Sequence, residues 1–251
     1  MLWYKSWLET RWRFLVGLVL MACSAAEVVL VYPKVRALVP LVPSDVPGEL
    51  GRQIHEAAAL AGSYGGYVWS HGFRENLSQL GTLFAVLLGT AGLLSRSAGA
   101  LFTLSLPVSR LRLLGVRFTT AVAELFALAF TSALLIPLLS PAIGARYGVG
   151  SALAHGACLF VASSVFLSLA LFLTVLFDDP WKPLLGAIAA AIGLALVDPL
   201  LGAPSWSVFA VMRGETYFRA HRLPWGGLLL SAAVSAALFF AAAATLRRRD
   251  F

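Results

Sequence analysis

The sequence predicts an all-α polytopic membrane protein with six transmembrane helices, an N-terminal interfacial helix, and both termini on the cytoplasmic side. Three observations carry that prediction. Apolar residues make up 59% of the 251 and charged residues only 12%, with a mean hydropathy of +0.84. Several runs reach the ~20 apolar residues that cross a bilayer. Between those runs, Lys and Arg are shared unevenly in the way that orients membrane proteins.

Residues 1–13, MLWYKSWLETRWR, divide at helical spacing into two faces. Trp3, Tyr4, Trp7, Leu8 and Trp12 fall on one half, and Lys5, Ser6, Glu9, Thr10 and Arg13 on the other. That is the pattern of an interfacial helix, with its rings at headgroup level and its polar face toward water. A first span follows over about residues 14–32. No small-residue cleavage site follows it, so the run reads as a retained span rather than a signal peptide.

Residues 33–76 form a long outer segment. Pro33, Pro40, Pro43 and Pro47 keep its first part irregular. Gly48–Leu60 has the spacing of a short amphipathic helix, and SYGGYVWSHGF is aromatic and glycine-rich, as near a membrane surface. Further spans are predicted over about 77–94, 118–139, 152–177, 183–201 and 225–246. The third stops near Pro141, and the fourth ends at the tight polar turn DDPWK. Residues 202–224 form a second outer segment, whose Trp206, Phe209, Tyr217 and Phe218 would let one or two short helices dip back into the membrane. The whole of 1–251 reads as one transmembrane domain.

With the N-terminus inside, the cytoplasmic segments hold 11 Lys and Arg and the outer segments hold 8. The contrast sharpens over short loops, because the long first outer segment counts for little. The net charge of +7 is thereby explained by topology, and no nucleic-acid partner is expected from it. Cys23 and Cys158 both lie in apolar runs without CxxC spacing, and they read as small hydrophobes. No Cys/His or Glu-rich cluster suggests a metal site. Only Lys5, Lys34 and Lys182 occur and none follows a glycine, so the chain has no Walker A loop.

The stretch between the second and third spans, residues 95–117, is SRSAGALFTLSLPVSRLRLLGVR. It places Arg96, Arg110, Arg112 and Arg117 between two long apolar runs. Pro107 breaks the chain direction, and Ser109 is placed to cap a new helix. Gly99-Ala100 followed by Thr103-Leu104-Ser105-Leu106-Pro107-Val108-Ser109-Arg110 resembles the inner loop of ABC-2 type transporter permeases, the membrane subunits of ATP-driven exporters. The match covers roughly a tenth of the chain; the acidic residue usual before the glycine is absent, with Arg96 and Ser97 in that region, and Ala100 stands where threonine is usual.

The resemblance implies that Leu104, Leu106, Pro107, Val108, Ser109, Arg110 and Arg112 form a coupling hairpin. It would seat in a separate ABC ATPase, present in two copies, which carries the ATP and Mg; this chain would bind no cofactor. A second permease copy, or a related permease, would complete a twelve-span pathway in a bacterial inner membrane, in contact with its lipid. This subunit would do no covalent chemistry, so no catalytic residue is expected.

Three acids fall within apolar runs: Glu27, Glu124 and Asp198. Charges there are expensive and often functional, so the three are candidates for a substrate pathway, with pairing between helices as the alternative role. Used as coupling sites without any ATPase, Glu27 or Asp198 would instead define a secondary transporter or channel. Ser151 and His155 stand one helical turn apart, but neither an oxyanion hole nor a second-helix partner accompanies them, which speaks against a hydrolase. Few polar groups line the predicted spans, so the expected cargo is amphipathic or lipid-like rather than a sugar.

Overall fold

The computed structural model describes residues 2–41, 48–90, 109–177, 179, 181–202 and 204–248. Every regular element among them is helical. Helix α1 covers Leu2–Leu38, α2 Gly48–Ala61 and α3 Tyr64–Tyr67. The chain continues from α3 through a π-helix, Val68–Leu77, directly into α4, Ser78–Gly89. Then follow α5 (Arg110–Leu139), α6 (Val149–Leu176), α7 (Trp181–Leu200), the short α8 (Val208–Met212) and α9 (Glu215–Ala220), and α10 (Trp225–Arg248).

Five of these helices, α1, α5, α6, α7 and α10, are long and apolar enough to cross a membrane. The chain is therefore an all-α, multi-pass membrane protein. Helix α4 is too short to qualify alone, although residues 64–89 form one continuous helical rod.

Packing fixes the direction of each rod. A Cβ on Gly72 would touch Val28, one on Gly17 would press on Phe84 at 2.8 Å, and Arg13 reaches the Leu87 carbonyl. The π-helix and α4 thus run antiparallel to α1. Helix α5 runs parallel to α1, because Glu9 meets Arg117 near their starts and Tyr64 bridges Tyr32 to Ser140 near their ends. Helix α6 returns along α5, with Phe160 against Phe126 and Gly156 against Ala133. After a short connection α7 turns back beside α6, where Gly186 faces Leu173. Helix α10 runs with α6, Ser235 bonding Ser168 (2.7 Å) and Leu246 packing with Val175 at their far ends.

Helix α6 is the hub, packed on α4, α5, α7 and α10. Two devices let helices close on it. Gly89 lies so near that a Cβ there would stand 2.5 Å from the Leu167 carbonyl oxygen, the use small residues serve between membrane helices. Ser168 and Ser235 supply a hydrogen bond in a place where water cannot, typically worth about 0.6–2 kcal/mol.

Helices α1 and α5 begin ahead of the starts expected for the first and third spans, and α5 ends where the third span was expected to end. No break separates residues 2–13 from the first span; α1 is continuous, and Pro33 lies inside it. Proline removes one backbone donor, which a long apolar helix in lipid tolerates when its neighbours hold it. Helix α5 starts at Arg110 rather than near 118, because Ser109 accepts a bond from the Arg112 amide and caps it there. Pro137 sits within α5, which gives way after Leu139 to a 3₁₀ turn, Ser140–Ile143, ending at Gly144 with φ 69°.

Candidate functional site

The strongest polar constellation inside the bundle joins α1 to α5. It is built on residues 9–13 of α1, whose polar half turns toward the protein instead of toward water. Thr10 is 1% exposed, whereas Trp3, Tyr4, Trp7 and Trp12 on the opposite half are bare. The amphipathic split of residues 1–13 therefore exists, but the polar face meets α5 and α4.

Three contacts between helices make this clasp. Thr10 Oγ1 donates to Glu124 Oε1 at 2.5 Å. Arg117 Nη1 pairs with Glu9 Oε2 at 3.1 Å, the arginine 4% exposed and the glutamate 37%. Arg13 Nη1 donates to the Leu87 carbonyl at 2.6 Å, near the end of α4. Thr10 also bonds back to the Ser6 and Trp7 carbonyls, which orients its hydroxyl. Arg117 and Glu124 stand seven residues apart, about two turns, so both project from one side of α5.

The clasp is incompletely satisfied. Nε and Nη2 of Arg117 and Oε2 of Glu124 are buried without a hydrogen-bond partner among the described residues. Unpaired groups of this kind in a low-dielectric setting each carry a desolvation cost, which rearrangement or a further ligand would relieve. The junction ties α1 to both α4 and α5 and retains unused donors and acceptors among the described residues.

The expected site residues are distributed as follows. Leu104, Leu106, Pro107 and Val108 lie outside the described residues. Ser109 caps α5, Arg110 is its first residue, and Arg112 is exposed one turn in. Of the described residues that flank this segment, Thr90 follows α4 and Ser109 precedes α5, the two helices that the clasp joins to α1.

The three acids are not gathered into one path. Glu124 belongs to the clasp. Glu27 is exposed on α1 and takes a long bond, 3.4 Å, from Asn76 at the end of the π-helix. Asp198 is buried in the last turn of α7 and has no hydrogen-bond or ionic partner among the described residues.

At the opposite end of the bundle, rings do the joining. The Trp69 and Phe218 rings stack with centroids 4.3 Å apart, and the Trp69 indole donates to the Arg213 carbonyl at 2.9 Å. His155 is buried between Phe73, 4.4 Å away, and Tyr217. Its Nδ1 contacts the Ser151 carbonyl at 2.8 Å, while the Ser151 hydroxyl faces Tyr217. The two side chains at 151 and 155 thus form no nucleophile–base pair. These contacts fold α8 and α9 back onto α6; Val211 on α8 crowds Gly227, where a Cβ would lie 2.3 Å from it.

A groove of about 240 Å³ opens between α4, α7 and α8. Leu83, Val86, Ile188, Ile192 and Phe209 make it apolar, with Gln79 and Thr82 as its polar groups. Among the described residues no three His, Cys, Asp or Glu side chains converge as metal ligands would.

Glu9, Thr10 and Arg13 were not singled out by the sequence as site residues. Their signal was present in the shared polar face, but that pattern does not distinguish water from a neighbouring helix. No family model, curated protein or solved structure matches the chain.

Proposed function

We propose that this chain is the permease subunit of an ABC-2 type exporter in a bacterial inner membrane. Two copies, or one copy and a related permease, would form the pathway and bind two separate ATPase subunits that hold ATP and Mg. In this reading the rod over residues 64–89 forms the core of a second membrane crossing. It would bring the total to six, with the clasp end in the cytoplasm. The alternating directions of α1, α4, α5, α6, α7 and α10 support that topology, as does the arginine-rich start of α5.

One observation carries the mechanism. The segment resembling the permease loop ends at Ser109, the side-chain cap of a helix running unbroken from Arg110 to Leu139 and bound to α1 through Arg117 and Glu124. A push on Leu106–Arg110 by closing ATPases would move α5 as a rod and carry α1 and α4 with it. The groove between α4, α7 and α8 is apolar with two polar groups, which suits an amphipathic cargo.

The test is cysteine crosslinking at Val108 to a candidate ATPase, in a Cys23→Ser, Cys158→Ala background. Crosslinking that changes with nucleotide is the expected outcome. An intact complex without crosslinks at 106–110 would remove the coupling role. Transport driven by a proton gradient in vesicles lacking ATP would replace the exporter with a secondary transporter.

A further inference from the structure

At the end opposite the clasp, α2 lies across the last turns of α1 and the π-helix. Between them is a cleft of about 790 Å³, within the size range of small-molecule sites. Its floor is apolar, from Val31 and Val35 of α1 and Leu60 of α2. Its wall on the opposite side comes from the π-helix, a rare conformation that tends to occur at functional sites.

The charges around the cleft oppose the basic character of the chain. Glu49, Glu56 and Glu75 line it against Arg52 and Arg74. Both arginines are engaged: Arg52 pairs with Glu49 at 2.6 Å, and Arg74 lies 5.7 Å over the Trp69 ring. Glu75 meets His71 at 3.0 Å, and Glu56 has no ionic partner among the described residues. Three carboxylates against two guanidiniums leave the cleft one formal negative charge in excess with His71 neutral.

An aromatic group completes the site. Tyr67 lines the cleft, is 4% exposed, and keeps a buried hydroxyl with no hydrogen-bond partner among the described residues. Its ring packs beside Tyr32 at 5.3 Å and His71 at 5.5 Å. A phenol oxygen beside carboxylates, over an apolar floor, gives an organic ammonium group acceptors for its charge and a surface for its body.

We infer that this cleft binds an organic cation, an ammonium group on an apolar body, with its charge held by Tyr67, Glu75 and Glu56 and its body on Val31, Val35 and Leu60. The site does not depend on the ATPase reading. The amine could belong to a soluble amphipathic cation or to an aminophospholipid headgroup.

Calorimetric titration of the full chain in dodecyl maltoside with benzyltrimethylammonium tests it. Saturable one-to-one binding is expected, weakened about fivefold by Glu56→Gln and by Glu75→Gln and abolished by Glu56→Lys. Glu56 is exposed on α2, so its variants keep the fold, as an unchanged melting curve would verify. Competition by added phosphatidylethanolamine would assign the lipid source; binding indifferent to that lipid would assign the soluble one. No saturable binding, equal binding by the variants, or preference for benzylphosphonate would overturn the inference.

Discussion

The two ends of the bundle are joined by different chemistry. At the clasp end, α1, α4 and α5 meet through directional bonds between charged and hydroxyl groups. At the other end, α8 and α9 are held by stacked rings, a tryptophan hydrogen bond and closely packed glycines. Ring contacts add area and dispersion over many atoms, and they change little with small shifts. A directional ion pair with spare donors can exchange partners over a displacement of an ångström or two. Local stability is uneven within proteins, and segments that move come from its lower end. The comparison assigns mobility to the clasp and rigidity to the aromatic end.

Arg117→Ala should have the largest effect. It removes the cation from a buried position, with an expected loss of about 3 kcal/mol, toward the lower end of the range for broken buried pairs because Glu9 can hydrate. Thermal unfolding in detergent measures it. An Arg117→Leu, Glu9→Leu double variant should recover most of the loss, because an apolar pair avoids the desolvation that an orphaned charge suffers. A double variant as unstable as the single would show that packing, rather than charge, makes the clasp.

Thr10→Val comes next, at about 2 kcal/mol, within the range of about 1.5–3 kcal/mol usual for a hydrogen bond to a charged acceptor. A double-mutant cycle with Glu124→Gln isolates the pair, and coupling near zero would remove this contact from the clasp.

The reach of sequence reasoning divides along the same line. Hydropathy alone identifies the apolar rods of α6, α7 and α10, because the membrane imposes a length and a composition on each. The cap at Ser109 was also legible, since serine after a proline break has a local reason to start a helix. Partners were not legible. Helices α6 and α7 are similarly apolar, yet α6 is the buried hub while α7 leaves Leu185, Ile192 and Leu196 bare. Nothing in a one-dimensional pattern distinguishes a lipid-facing leucine from a helix-facing one. The same limit hid the clasp, whose polar face suited water equally well, and the cleft, whose walls come from residues up to 44 positions apart. The π-helix carries no composition of its own and emerges only from how Trp69, Phe73 and Leu77 are buried.

At the aromatic end, Trp69→Phe keeps a ring against Phe218 and deletes the bond to the Arg213 carbonyl. It should cost about 1 kcal/mol, less than either clasp variant, and show as a small fall in melting temperature. A loss as large as that of Arg117→Ala would reverse the assignment of the two ends.

The smallest effect appears only in alkali. Tyr147 lies in the connection between α5 and α6, and burial, with the Tyr217 and Tyr64 phenols nearby, pushes its phenol up from the ordinary 10.0. A phenol raised in the folded state holds its proton where the unfolded chain has begun to release it. The folded state then binds more protons than the unfolded one, so stability falls as pH rises. That contribution is fully present below pH 10, the unfolded value, and is lost progressively above it. Melting temperature measured from pH 8 to 11 should therefore decline from about pH 10, and Tyr147→Phe should flatten part of that decline while leaving the neutral-pH value nearly unchanged. An identical alkaline slope in the variant would mean that the Tyr147 phenol is hydrated, and the packing of the aromatic end would then be looser than the clasp it is compared with.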